Sequence, residues 1–350
     1  MTHSQPHEST GILLVNTGTP RSTDVADVRA YLRQFLSDPR VIDMPALGRW
    51  LLLNFVILPF RPARSAHAYR SIWTERGSPL LTHGLDLAAA LQTELNDVCQ
   101  VQLGFQYGEP SIPQALERFA AQGIDRIIVV PLFPHYAAAS WGSAAQGAMQ
   151  AASDLWVVPT LQIISPFWHT SEFLDLQAER IAQAWAQEQP DHLLLSYHGV
   201  PERHCKKTDA TAQHCLVKSN CCDTLTAANR NCYRAQCMAT SRALALRLGL
   251  EPAQITTSFQ SRLGRVPWIR PYTDDVVREL GARKVGKLLV AEPAFVADCL
   301  ETLEEIAIRA RDDFRQAGGG DLVLVPSLNA GGDWAKALAA IIQSQVNLGV

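Results

Sequence analysis

A chain of 350 residues is long enough for two domains of ordinary size, each with its own core. Its 47% hydrophobic and 19% charged residues, with a net charge of −3, are those of an ordinary globular protein. They exclude the basic surface of a nucleic-acid binder and any charged tail. The opening MTHSQPHEST is polar and lacks the basic and apolar parts of a secretory signal, so a cytoplasmic location is expected. Paired disulfides are then a poor use for eight cysteines.

Along the chain, short β-rich runs alternate with helical patterns. GILLVNTG (11–18) leads into DVADVRAYLRQFL, VCQVQLGFQYG into IPQALERFAAQG, and DRIIVVPLFPHY follows. Between the first two lies WLLLNFVILPF, Trp50 to Phe60, bracketed by Arg49, Arg61 and Arg64. It falls far short of the roughly 20 residues needed to span a bilayer. A core helix and an exposed lip for an apolar ligand or a membrane surface are both open readings of it. After SPFWHT (165–170) the alternation resumes with DHLLLSYHG (191–199), ITTSFQ (255–260), KLLVAEPAF (287–295) and DLVLVPSL, each followed by a helical pattern. Such alternation predicts an α/β protein with two parallel sheets covered by helices, one in each half.

Parallel sheets place their chemistry at the carboxyl ends of the strands. Neither GxGxxG nor GxxxxGK[ST] occurs, so no nucleotide is expected. His198 stands at one predicted strand end, before Gly199. In ADCLETLEEIAIRARDD, Asp298, Glu301 and Glu305 fall at i, i+3, i+7, on one face of a helix that follows a buried strand; Glu304 sits beside the stripe. A lone strand-end histidine and a carboxylate face are each more often structural. Together they make a sensible pair for transient handling of a divalent metal: imidazole nitrogen and carboxylate oxygen both suit Fe(II), and two ligands leave positions open. The histidine also suits a base.

SYHGVPERH, TTSFQSRLGRVPWIRPYTDD and EPAFVADCLETLEEI resemble the signature stretches of ferrochelatase, and GILLVNTGTP, FQYGEPSI and PLFPHYAAASWGS fit the same family in order and spacing. The resemblance runs from about residue 11 to 330. It implies two Rossmann-like domains of the chelatase type with the active cleft between them: residues 9–165 with an apolar lip at 44–62, residues 166–332, and a C-terminal helix, 333–350, packing back on the first. It implies Fe(II) insertion into protoporphyrin IX to form protohaem, with porphyrin and ferrous iron as ligands and a peripheral membrane contact through the lip. Coproporphyrin ferrochelatase and a cobalt chelatase are alternatives within that chemistry; an iron–sulfur sensor or electron carrier on a chelatase fold is the rival of another class. By the same resemblance His198 and Glu301 face the macrocycle and the metal, Glu305 and Asp298 form an acidic track, and Thr17, Tyr136, Ser140, Ser143 and Trp268 line the porphyrin pocket. Two departures matter. Gln106 stands where many members carry arginine; if that arginine helps hold a propionate, either another cation substitutes here or the orientation contact is weaker. Cys299 stands where others carry histidine.

Six of the eight cysteines lie between 205 and 237, in and around an insertion at 209–232 that splits two family motifs. Thiols gathered outside an oxidising compartment most simply bind metal. Their spacing matches neither a zinc ribbon nor a plant-type ferredoxin, and leaves four-thiolate zinc and a [2Fe–2S] cluster both open. Resemblance to bacterial ferrochelatases with a cluster on an internal insertion favours [2Fe–2S]. Cys215, Cys232 and Cys237 are the ligand candidates, with Cys221 or Cys222 as fourth and Cys205 and Cys99 as bystanders. Metal is expected to supply the insertion's order.

Overall fold

The computed structural model describes residues 10–96, 99–264 and 266–346. The polar start and the last residues of the expected C-terminal helix lie outside them. Eight strands form two four-stranded, wholly parallel sheets. In the first half, β1 (Thr10–Gly18), β2 (Cys99–Tyr107), β3 (Arg126–Pro131) and β4 (Thr160–Ile163) run in the order β2-β1-β3-β4. In the second, β5 (His192–His198), β6 (Ile255–Gln260), β7 (Lys287–Ala291) and β8 (Asp321–Leu324) repeat it as β6-β5-β7-β8. Each central strand is an unbroken apolar run because helices cover both faces of a parallel sheet.

Period-2 alternation divides β1 between two cores. Ile12 and Leu14 point into the main core, and Leu13 and Val15 into a smaller one under α5 (Ile112–Ala121) and α6 (Ser143–Ser153). The main core also takes Leu193 and Leu195 of β5, so the two halves share it. The outer face of the second sheet, with Leu194 and Val290, packs on α10 (Thr273–Ala282) and the helical stretch 301–316.

The remaining helices are α1 (Val25–Ser37), α2 (Ala46–Leu51), α3 (Leu58–Ile72), α4 (Pro79–Leu95), α7 (Ser171–Glu188), α8 (Glu202–Lys207), α9 (Tyr233–Leu248), α11 (Arg311–Gln316) and α12 (Gly332–Gln345). The last, expected on the first half, packs against α4 and α7 and so touches both halves. Its fully buried Trp334 meets Phe167 and Phe173, with ring centroids 5.9 and 6.4 Å away. Three stretches, 52–57, 138–142 and 301–310, are wound as wide π-helix, a rare form found mostly at functional sites.

Polar contacts help to fasten the halves. After β3, the His135 ring Nε2 lies 2.9 Å from the Thr240 hydroxyl of α9, and the Tyr136 amide donates to Gln236 at 2.7 Å. Near the lip, Asp43 accepts from Arg203 at 3.1 Å and Lys207 at 2.6 Å on α8.

Candidate active site

The carboxyl ends of β5, β6 and β7 meet in one place. His198 ends β5, in register with Gln260, the last residue of β6. Gly199 turns the chain away at once. A Cβ there would stand 2.8 Å from the Gln260 carbonyl, and the glycine amide donates to that same carbonyl. The half-buried His198 ring has Nδ1 2.6 Å from the Gly199 carbonyl. A carbonyl can only accept, so Nδ1 carries a proton, and in the neutral ring Nε2 holds the lone pair. Trp268 and Phe295 flank the ring at centroid distances of 6.3 and 6.4 Å.

Behind His198 a buried polar chain fixes the register. The Ser258 and Ser196 hydroxyls both reach Thr273, and Ser196 donates to the Gln260 carboxamide. The Gln260 amide then donates to the Glu301 main-chain carbonyl at 3.1 Å. Strand ends and the start of the wide helix are thus joined by one network.

Glu301 and Glu305 lie on that helix. Glu305 accepts from both the amide and the hydroxyl of Ser261, at 2.9 and 2.7 Å. Ser261 holds a left-handed φ of 64°, unfavourable for a serine, to present both donors. Burial pushes the Glu305 carboxyl above the usual range, while Ser261 and nearby His198 pull it back. Glu304 is half-buried and turned to Arg309, 2.8 Å away, which neutralises its charge. Asp298 departs from the expected stripe. It precedes the helix, and its carboxylate accepts from Thr302, Asn329 and the Ser327 amide, so it anchors the turn.

The first half closes on this edge with Arg61, Tyr31 and Tyr69. All three lie within electrostatic reach of Glu301, and Leu300 and Leu303 pack among α1 and α3. The Arg61 Nη1 is buried without a hydrogen-bond partner, and burial lowers its pKa. Cys299 is buried against the Glu301 carboxyl, its thiol pushed up by burial first and that charge second.

The expected pocket residues form a second wall. Thr17 is half-buried at the end of β1, just before Gly18, whose φ of 108° leaves no room for a side chain: a Cβ would collide with the Tyr107 carbonyl. Tyr136 packs against Trp141 at 5.6 Å. The Ser140 carbonyl accepts from Gln106, whose own carbonyl oxygen is buried without a partner. Ser143 is buried and donates to the Ala138 carbonyl, which sets it behind the wall. Arg40 stands beside Gly142 and the Tyr136 hydroxyl and reaches Gln146. Two shallow surface hollows, one at Thr74–His83 and one at Arg234–Glu279, lie away from these residues.

The lip resolves into two faces. Leu53 and Leu58 are core, whereas Trp50, Leu51, Phe55, Val56 and Phe60 are exposed, Phe60 at 75%.

Sequence reasoning pointed to the strand end at Gln260 but missed Glu292 and the inward turn of Arg61. Glu292 is the first residue past β7, only 5% exposed, and burial pushes its carboxyl far up. The signal was present: a charge placed directly after KLLVA, where a buried strand ends.

All six clustered thiols are buried and join the main core. They meet in small groups: Cys205 and Cys215 against Cys232, and Cys221 against Cys222 at 3.7 Å. Among the described residues no three His, Cys, Asp or Glu side chains already form a metal-ligating set. The Cys205 thiol is the main cause that lowers Cys232 to about 6. Cys222 is raised to about 12 by burial, although Arg234 donates to its sulfur at 3.1 Å. Polar side chains brace the insertion. Asp209 gathers the amides of Thr211, His214 and Cys215, and Asn229 holds the Cys221 and Thr224 carbonyls.

Two parallel sheets of the same strand order, meeting at a strand-end histidine and carboxylates, define a metal chelatase. The fold agrees with solved structures: SirB from Bacillus subtilis with Fe3+ covers 97% of both chains at a TM-score of 0.53 and 13% identity. The cobalt complex of sirohydrochlorin chelatase SirB from Bacillus subtilis subspecies spizizenii reaches 0.50 at 11% identity, over 96% of this chain and 95% of that one. The sequence of the Ferrochelatase family matches residues 9–346. Curated proteins named ferrochelatase are 43% identical in Legionella pneumophila (96% of this chain, 99% of that one), 44% in Coxiella burnetii (97% and 94%) and 45% in Pseudomonas entomophila (95% and 98%). The chain belongs to the ferrochelatase family, enzymes that insert ferrous iron into porphyrin in haem synthesis.

Proposed function

We propose that the porphyrin is protoporphyrin IX, that His198 is the base, and that Glu301 with Glu305 conducts iron or protons on the opposite side. The observation that carries this reading is the tie of His198 Nδ1 to the Gly199 carbonyl, which in the neutral ring leaves the Nε2 lone pair free to accept. A porphyrin holds two N–H protons that must leave as iron enters. Bending the ring exposes its nitrogen lone pairs, at a strain of about 1–5 kcal/mol drawn from binding elsewhere on the ligand. Imidazole then takes a proton at Nε2, and the Glu305 carboxyl, raised by burial, is suited to hold another. Arg61 and Arg40 supply the cations that Gln106 does not, for the propionates. The exposed Trp50, Leu51, Phe55 and Phe60 form an apolar mouth suited to the less carboxylated ring and to a membrane surface. No helix among the described residues is long and apolar enough to cross a membrane. Anaerobic protein given Fe(II) and either protoporphyrin or coproporphyrin should turn over the first faster. Preference for coproporphyrin would reverse the substrate choice, and no haem from either would leave the sensor reading.

We also propose a resident [2Fe–2S] cluster in the insertion. The donor set fits in chemistry: buried thiols, one already acidic, with Arg234 at Cys222 and the Leu216 amide 3.4 Å from the Cys221 sulfur to balance thiolate charge. Cys215, Cys232 and Cys237, with Cys221 or Cys222, would hold it. When bound, such a cluster supplies cross-linking and redox sensitivity; iron insertion leaves the iron's oxidation state unchanged and needs no electron from it. Protein purified without oxygen should be reddish brown with about two irons and two sulfides per chain, and Cys232→Ser should bleach it. A colourless protein with one tightly held zinc would exclude the cluster and leave the chelatase untouched.

A further inference from the structure

Glu292 is 5% exposed, and neither of its carboxyl oxygens has a hydrogen-bond partner. It directly follows the buried strand β7, and its main-chain carbonyl accepts from Phe295, which fixes the turn. The Gln260 carboxamide stands beside it without forming a proper hydrogen bond to either oxygen, being held by Ser196 and the Glu301 carbonyl. Glu301, Glu305 and Asp298 all lie within electrostatic reach. Of these Asp298 already accepts from Thr302, Ser327 and Asn329, whereas Glu301 and Glu305 are read as part of the site.

A partnerless buried carboxyl opposes folding, and carboxylates nearby make it worse. An apolar residue in this place, continuing the buried run of β7, would serve the fold better. What reverses the sign is a cation. Hard carboxylate oxygens suit a divalent first-row ion, and three of them with an imidazole nitrogen favour it more than two do. The orphaned side chain therefore points to a need that arises when iron passes and not in the resting protein.

We propose that Glu292 is a third iron-handling carboxyl, on the inner side of Glu301 and Glu305, which contacts the ferrous ion on its way to the macrocycle. The inference rests on reading Glu301 and Glu305 as the iron path. The substrate it takes is the metal and not the porphyrin, and its signature is a split between the two KM values.

The test is steady-state kinetics of the full-length enzyme, made anaerobic, with Fe(II) and porphyrin varied separately. Glu292→Gln, which keeps shape and removes charge, should raise the KM for iron at least about five-fold while the porphyrin KM stays within about two-fold. Glu292→Asp should recover part of the loss. Glu292→Leu removes the orphaned group, so it should melt no lower than wild type and still show the raised iron KM; it decides the matter should the glutamine variant misfold. Glu301→Gln runs alongside. An iron KM unchanged in the Glu292 variants but raised in Glu301→Gln overturns the role of Glu292 and leaves the path standing. Unchanged values in both remove the path, and this inference with it. A melting temperature and both KM values that move together would make Glu292 a packing residue and refute its contact with iron.

Discussion

His135 joins the two halves, and its chemistry makes that joint sensitive to acid. The ring is 2% exposed, Nε2 meets Thr240, Nδ1 is buried without a partner, and burial lowers its pKa from 6.5 to about 3. Tyr197 and Tyr233 pack edge-on at 5.4 and 6.0 Å and help to bury the ring. At pH 8 the ring is neutral in both folded and unfolded chains. Below pH 6.5 the unfolded histidine takes a proton that the folded one refuses, so stability is full above that pH and falls as pH drops toward the folded value. The slope is about 1.4 kcal/mol per pH unit, which gives a loss of about 2 kcal/mol between pH 8 and pH 5 from this one ring. His135→Gln keeps a group of similar reach for Thr240 and cannot titrate. Urea unfolding of both proteins at pH 8, 6.5, 5.5 and 5 should show the wild type losing about 2 kcal/mol more than the variant at pH 5, while His192 and His204, also lowered by burial, act equally in both. Parallel curves would mean that the ring is protonated in the folded protein and that the burial argument fails.

His198→Ala and Glu301→Gln should each lower turnover at least about 100-fold, with porphyrin affinity by fluorescence quenching within about three-fold of wild type. Wild-type rates in both would end the proposed mechanism. Serine at Trp50, Phe55 and Phe60 should weaken porphyrin capture and liposome association without moving the melting temperature. Serine at buried Leu53 should destabilise the lip itself, by about 2–5 kcal/mol by analogy with core truncations. Asp43→Asn removes the charge shared by Arg203 and Lys207, in exposed pairs worth about 0.2–1 kcal/mol each, so stability should barely change while amide exchange in 46–60 and the porphyrin KM rise. The cations hold the Asp43 carboxyl below the usual range, so the wild-type latch should persist at pH 5.

Seven of the eight strands, the parallel arrangement and the strand-end placement of His198 were legible in the sequence, because a doubly covered strand must be continuously apolar. β4 was not: TLQI is four residues on an open sheet edge, partly exposed, with no run long enough to announce it. The acidic stripe was half legible. An α-helical period places Asp298, Glu301 and Glu305 on one face, but the chain winds wide from Glu301 onward and spends Asp298 on Asn329 and Ser327. Helix type depends on how carbonyls pair within packed surroundings, which local pattern does not encode. The lip shows the same division: its apolar character is written in the residues, yet which ones are core depends on α1 and α3 packing beneath it. The six thiols were countable from the start, but not their burial in the main core, nor that Asp209 and Asn229 order the loop around them. Glu292 and Arg61 illustrate the general reason. A charge beside an apolar run reads as a boundary in one dimension, and only the approach of distant segments decides whether it meets solvent, a partner or a substrate.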